Sequence, residues 1–222
     1  MVSKINVAID GPAGAGKSTV AKMAAAELGL IYIDTGAMYR ALTVQAMREG
    51  IDLNDEQALI GLAARTSIVL TENGEILLNG EDVTEAIRHP DVSRCVSLVA
   101  KVSGVRKRLV ELQREMAAGG NGVVMEGRDI GTVVLPSADV KIFLTASPVE
   151  RARRRREELA AKGILIERRQ MEEELNERDR IDSSREADPL APAPGAIIVD
   201  CSLLVPDQVL EIIMAAAAQG GS

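Results

Sequence analysis

Five short apolar runs punctuate the chain, at residues 5–9, 30–33, 122–126, 140–144 and 196–199. None keeps the regular polar–apolar alternation of a half-exposed strand, so each predicts a strand covered on both faces. Between them, apolar residues return at helical spacing over 20–28, 38–48, 105–118, 148–162 and 205–218. Buried strands alternating with helices predict a doubly wound, three-layer α/β/α domain with a parallel sheet. Ligands of such a domain sit beyond the carboxyl ends of its strands. One stretch departs from this rhythm. Residues 67–71 and 76–78 flank Glu72-Asn73-Gly74-Glu75, and Asn79-Gly80 follows. Two Asn-Gly turns so close together predict a hairpin with a further strand. Residues 62–95 are therefore expected to form a small β-rich insertion projecting from the main sheet. The pattern leaves open whether that insertion is decoration or part of a site.

The first apolar run is followed by Gly11-Pro12-Ala13-Gly14-Ala15-Gly16-Lys17-Ser18-Thr19 and then by a helical pattern. That strand–loop–helix setting gives the spacing G-x-x-x-x-G-K-[ST] its meaning. Glycines let the backbone wrap until its N–H groups converge on a phosphate, and the start of the helix adds partial positive charge. Residues 11–19 are thus expected to cradle ATP, with Lys17 at the β/γ-phosphates and Ser18 on Mg²⁺. A merely flexible glycine loop would leave Lys17 and Ser18 without a role.

Composition narrows the classes. With 46% apolar and 27% charged residues the chain is globular, and 222 residues suit one domain. No apolar stretch approaches the roughly 18 residues of a membrane span. The chain enters its first strand without a signal-peptide pattern, so a cytoplasmic location with no membrane partner is expected. Cys95 and Cys201 lie far apart and form no metal or redox spacing, which reads as reduced thiols. The single histidine, His89, argues against a His-based metal site or a Ser-His-Asp triad. A net charge of −7, with Tyr32, Tyr39 and Phe143 as the aromatics, argues against nucleic-acid binding.

Positive charge is nevertheless concentrated where the predicted strands end. Asp34-Thr35-Gly36-Ala37-Met38-Tyr39-Arg40 follows the second run and opens a helix, with Thr35 a candidate cap. Glu126-Gly127-Arg128-Asp129 follows the third run. Arg151, Arg153, Arg154, Arg155 and Arg156 crowd one helix ahead of Glu157 and Glu158. Some of them suit a solvated face paired at i, i+4. Five guanidinium groups in six positions nevertheless repel, and a polyanion would relieve them, as under a phosphate-facing lid. Residues 177–185, Glu-Arg-Asp-Arg-Ile-Asp-Ser-Ser-Arg, read either as surface ion pairs or as part of a second anion site. Pro189-Leu190-Ala191-Pro192-Ala193-Pro194 reads as a rigid connector into the last strand. No aspartate has a glycine three positions later and no Asn-Lys pair occurs, which disfavours a switch GTPase. Transfer between two phosphorylated substrates does call for such an excess of guanidinium groups.

At these motifs the chain resembles the bacterial-type cytidylate kinases, a family of P-loop nucleoside monophosphate kinases. The resemblance spans residues 11–19 and 34–40, Val83-Thr84-Glu85-Ala86-Ile87-Arg88 in the insertion, and Ser97 with Arg106. It continues through Gly127-Arg128-Asp129-Ile130-Gly131-Thr132 and residues 178–185. It implies γ-phosphoryl transfer from ATP to CMP or dCMP with Mg²⁺, giving ADP and CDP or dCDP. It implies CMP contacts from Thr35, Arg40, Ser97, Arg106, Arg128, Asp129, Arg178, Asp182 and Arg185. Lys17, Arg128, Arg178 and Arg185 would be catalytic, and Arg154 or Arg155 would act from the lid. It further implies a monomeric kinase with a core at about 1–35, 105–150 and 190–222. The nucleotide-binding part would span about 36–104 and the lid about 151–170.

The residue chemistry agrees with that assignment. Cytosine offers an exocyclic amino donor, which a carboxylate such as Asp129 accepts, and ring acceptors, to which Arg106 can donate. Arg40, Arg128 and Arg185 suit the 5′-phosphate through forked hydrogen bonds. Asp182 with Arg178 suits ribose hydroxyls. In two places the chain departs from common family usage. Glu126 stands where Asp is frequent and is expected to reach Mg²⁺ through a water, and Thr35 stands where Ser is common. The alternatives are a kinase with another acceptor, such as UMP or a metabolite, and a nucleotide-dependent binding protein without a second substrate.

Overall fold

The computed structural model describes residues 5–71 and 74–220. Among them, strands form a five-stranded and a three-stranded sheet. The chain runs through β1 (Asn6–Asp10), α1 (Lys17–Leu28), β2 (Ile31–Asp34), α2 (Thr35–Arg48) and α3 (Glu56–Arg65). It then builds β3 (Ile68–Leu70), β4 (Ile76–Leu78), β5 (Glu81–Asp82), α4 (Pro90–Ala100) and α5 (Ser103–Ala117). It returns through β6 (Val123–Gly127), β7 (Val140–Thr145), α6 (Pro148–Ala160), α7 (Arg168–Ser184), β8 (Ile197–Asp200) and α8 (Pro206–Gly220).

The large sheet has the order β2-β6-β1-β7-β8, and every pairing in it is parallel. β1 is central and covered on both faces. Val7 and Ile9 pack with residues of α1 and α8, whereas Ala8 packs with Val110 of α5 and Met125 of β6. That two-sided burial is why its sequence lacks a polar face. After β1 the strands are added on opposite sides of it, and this reversal opens a crevice at the carboxyl ends.

The small sheet is antiparallel, in the order β3-β4-β5. Asn79 and Gly80, both left-handed at φ 51° and 86°, make the two-residue turn between β4 and β5. Of the Asn73-Gly74 turn expected at the other end, Asn73 lies outside the described residues, and Gly74 is left-handed at φ 82°. Ile68, Ile76 and Leu78 bury against Leu42 of α2 and Leu59 and Leu62 of α3, in one continuous core. The insertion is therefore packed into the molecule rather than appended to it. Its β character ends early, because residues 90–100, expected in part as β-rich, form α4. Pro90 starts that helix, His89 Nδ1 accepts the Asp91 N–H at 3.3 Å, and Val92, Val96 and Val99 bury one face.

Two other helices escaped the sequence pattern. α3 is capped by Asp55, whose carboxylate accepts from Ala58 N. α7 carries so many charges that its apolar stripe is nearly invisible, although Met171 and Leu175 bury against Ala13, Ala152 and Leu159. Among the described residues no helix is long and apolar enough to cross a membrane.

Candidate active site

The crevice is a cleft of about 500 Å³, and every strand of the large sheet delivers a loop to it. The loop after β1 is shaped by Gly11, Gly14 and Gly16, at φ 147°, 76° and 92°. At Gly11 the requirement is steric as well, since a Cβ there would lie 1.9 Å from the carbonyl oxygen of Leu144. Residues 13–19 line the cleft. Lys17 Nζ donates to Pro12 O at 2.7 Å. Burial, reinforced by Arg128 and Arg178, lowers the Lys17 amine to about 7.

Asp10, 2% exposed, closes β1 just before the phosphate loop. Its two carboxylate oxygens accept the N–H groups of Ile130 and Gly131, at 2.7 and 2.8 Å. This fixes the loop after β6 to the end of β1, and residues 130–134 continue as a single π-helical turn.

Guanidinium groups gather near Lys17. Asp34, and not the expected Thr35, caps α2, accepting from Ala37 N at 2.9 Å and from Arg40 at 2.6 Å. An extended residue just before the first helical one places its carboxylate over the helix amides. Thr35 is already helical, and its hydroxyl instead donates to Glu126 O at 2.7 Å. Burial would raise the Asp34 carboxyl, but Arg40 and Arg88 outweigh it and hold it below the usual range. Arg128 Nε donates to Asp182 at 2.9 Å. Arg178 is half-buried beside Arg128 and near Arg40, and desolvation followed by the Arg128 charge lowers its guanidinium to about 9. The Nε atoms of Arg40 and Arg178 are buried without hydrogen-bond partners. Such crowding with unspent donors suits an anion.

A second charged group lines the same cleft. Arg106, 1% exposed, pairs with Asp129, donates to Asp188 at 2.9 Å and lies 5.5 Å over the ring of Tyr39. Arg185, expected with Arg40 and Arg128, sits here instead. It ends α7, folds back onto Asp188 O at 2.5 and 2.8 Å, and approaches Asp129 at 3.6 Å. Ser97 Oγ donates to Asp182 at 3.2 Å, between the two groups. Burial raises the Asp129 carboxyl against the pull of Arg106 and Arg185. Asp188, the second partner of Arg106, had no sequence signal, being a loop residue at φ 52°.

The arginine-rich helix divides its work. Arg154 and Arg155 line the cleft. Arg154 donates to Cys201 O at 2.6 Å and to Glu150 at 2.8 Å, and Arg155 to Glu158 at 2.7 Å. Arg153 is taken up by Glu150 and Glu157, and Arg156 by Ile166 O. Arg151 is buried under the phosphate loop. The expected mutual repulsion is therefore largely relieved within the protein, by neighbouring acids and carbonyls.

Ser18 and Glu126 both line the cleft and interact with each other. Tyr32 Oη donates to Glu126 Oε1 at 2.5 Å. Burial, then the charge of Asp34, raises the Glu126 carboxyl. Among the described residues no group of three or more His, Cys, Asp or Glu side chains can hold a metal ion. A few hard oxygen donors without a closed cage fit Mg²⁺ arriving on nucleotide phosphates.

Comparison with known proteins agrees with this arrangement. The family model described as cytidylate kinase matches residues 7–219. A cytidylate kinase of Pelotomaculum thermopropionicum is 61% identical, over 97% of this chain and 96% of its own. One from Geobacillus kaustophilus is 55% identical, over 96% of each. Among solved structures, a gluconokinase from Sinorhizobium meliloti 1021 aligns over 99% of this chain and 94% of its own, with a TM-score of 0.52. At 16% identity it shares the fold alone.

Proposed function

The chain belongs to the cytidylate kinase family, and from that premise we propose that it transfers the γ-phosphoryl group of ATP to CMP or dCMP. The products are ADP and CDP or dCDP. The observation that carries this reading is the meeting, in one cleft, of the glycine loop with Lys17, the Arg40–Arg128–Arg178 group and the buried Arg106–Asp129 pair.

ATP lies with its phosphates on residues 11–19. CMP lies with its phosphate at Arg40, Arg128 and Arg178, its ribose at Ser97 and Asp182, and its base toward Arg106, Asp129 and Arg185. Thr35 fixes the end of β6 beneath it. A phosphate monoester has a second pKa of about 6, so the attacking oxygen is largely ionised near neutrality and needs little general-base help. Catalysis then rests on alignment for in-line attack and on neutralising the charge spread over the transferring oxygens. Lys17, Arg128 and Arg178 supply the cations, and Arg185 orients the base end. Ser18 directly, and Glu126 through water, would hold Mg²⁺, which when bound screens the phosphate charge.

The core comprises about 1–35, 105–150 and 190–222, the nucleotide-binding part about 36–104 and the lid about 151–170. Arg154 and Arg155 serve the donor from the lid. The protein works as a cytoplasmic monomer, without nucleic acid or membrane partners. A coupled ADP-release assay over CMP, dCMP, UMP, AMP and GMP tests the reading. CMP and dCMP should be preferred at least tenfold; hydrolysis indifferent to every acceptor would overturn it.

A further inference from the structure

Arg151 and Asp179 grip one residue of the phosphate loop from both sides. Arg151 Nη1 donates to Ala13 O at 3.0 Å and to Asp179 Oδ2 at 2.6 Å, while its Nε donates to Ala146 O at 3.1 Å. Asp179 Oδ1 accepts the Ala13 N–H at 3.4 Å. Both polar groups of the Ala13 backbone are thus held by the two members of one ion pair. The Arg151 and Asp179 side chains are 6% and 19% exposed, so solvent screens the pair little. The adjacent Gly14 leaves no slack, because a Cβ there would meet Arg151 O at 3.0 Å and Arg151 Cβ at 3.1 Å.

Asp179 is on α7, next to Arg178 and three residues before Asp182. Those two neighbours reach into the cleft, whereas Asp179 turns to the loop that cradles phosphate. Any change in the path of residues 11–16 therefore pulls on the helix that carries the acceptor-side groups. A planar guanidinium with donors aimed at two carbonyls and a carboxylate transmits such a shift rigidly, which a flexible ammonium would not.

We infer that Arg151 and Asp179 are positioning residues through which nucleotide on residues 11–19 sets the placement of α7, and with it Arg178 and Asp182. The inference rests on the proposed function for the identity of the nucleotide, and on the geometry above for the coupling.

Hydrogen–deuterium exchange with a non-hydrolysable ATP analogue and Mg²⁺, without acceptor, tests it. In the wild type the analogue should slow exchange in both 11–19 and 168–184. In Asp179→Asn it should still protect 11–19, while the response of 168–184 is lost. The same variant should lose about 10–100-fold in kcat with less than threefold change in KM for ATP, as misplacement without loss of donor binding requires. Arg151→Lys, which keeps the charge, gives a partial response and replaces Asp179→Asn if that variant does not fold. Arg180→Gln, altering an exposed neighbour on the same helix, should keep the full response. A wild-type helix that ignores bound analogue, or an Asp179→Asn or Arg151→Lys variant responding as the wild type does, would overturn the inference. Because no acceptor is present, a different acceptor preference would defeat the proposed function and leave this test standing.

Discussion

Arg106 and Asp129 form an ion pair in the cleft whose side chains are only 2% and 7% exposed. The pair aims the carboxylate before any base arrives, since Asp129 is also approached by Arg185. Reading a cytosine amino group this way costs little reorganisation.

Asp129→Asn should therefore reduce the CMP-over-UMP ratio of kcat/KM by about 5–100-fold, the worth of one good base contact. Stability should fall as well, because a buried guanidinium loses a charged partner, although Asp188 remains on Arg106. Kinetics on both acceptors and urea unfolding check the two effects. An unchanged ratio would assign the reading of the amino edge to another group.

Lys17→Met should lower kcat by at least about 10²–10³-fold, the usual cost of removing one group that meets developing charge. The fold should persist, since the substitution removes a buried amine held by one loop carbonyl. Circular dichroism and single-turnover kinetics separate these readouts.

Tyr32→Phe removes the hydroxyl that donates to Glu126 at 2.5 Å. Glu126 then keeps its interaction with Ser18 but loses one of the two contacts that orient its side chain. The Mg²⁺ concentration for half-maximal activity should rise by about tenfold, as for lost partners of metal-binding groups. Titration with Mn²⁺, followed by its magnetic resonance signal, should show the same weakening without turnover.

Asp10 gives the protein a pH signature. Burial raises its carboxyl from 3.8 to about 6, even though the Gly131 and Ile130 amides favour the ionised form. An acid with the higher pKa in the folded state binds its proton more tightly there, so stability falls as pH rises from about 4 to 6. Between pH 4.5 and 6.5 the wild type should lose about 2 kcal/mol relative to Asp10→Asn, which lacks the titrating group. Parallel urea titrations at the two pH values measure the difference, and equal slopes would refute the assignment.

Gly11 and Gly29 are both at positive φ, 147° and 63°, but their surroundings differ. A methyl group at Gly11 collides with Leu144 O, while nothing lies within 4 Å of one at Gly29. Gly29→Ala should cost about 1–2 kcal/mol, the ordinary left-handed penalty, and lower Tm by a few degrees. Gly11→Ala should cost more than about 3 kcal/mol, because β1 and β7 must part as well. Thermal unfolding of both variants decides.

The parallel sheet, the phosphate loop and the charged loops at strand ends were legible from the chain, because each depends on neighbours in sequence. A buried strand must be apolar throughout, and a backbone phosphate cradle must have glycines at set spacing. α7 was not legible, because its buried face is a narrow stripe, Met171 and Leu175, among residues chosen for ion pairing. Nor could spacing distinguish among the arginines. Arg151 holds the loop, Arg153 and Arg156 serve surface and carbonyl partners, and Arg178 rather than Arg185 joins Arg40 and Arg128. A guanidinium takes its role from the acids and carbonyls that folding brings within reach, and those partners, such as Asp188 for Arg106 or Ala13 for Arg151, stand 82 and 138 residues away.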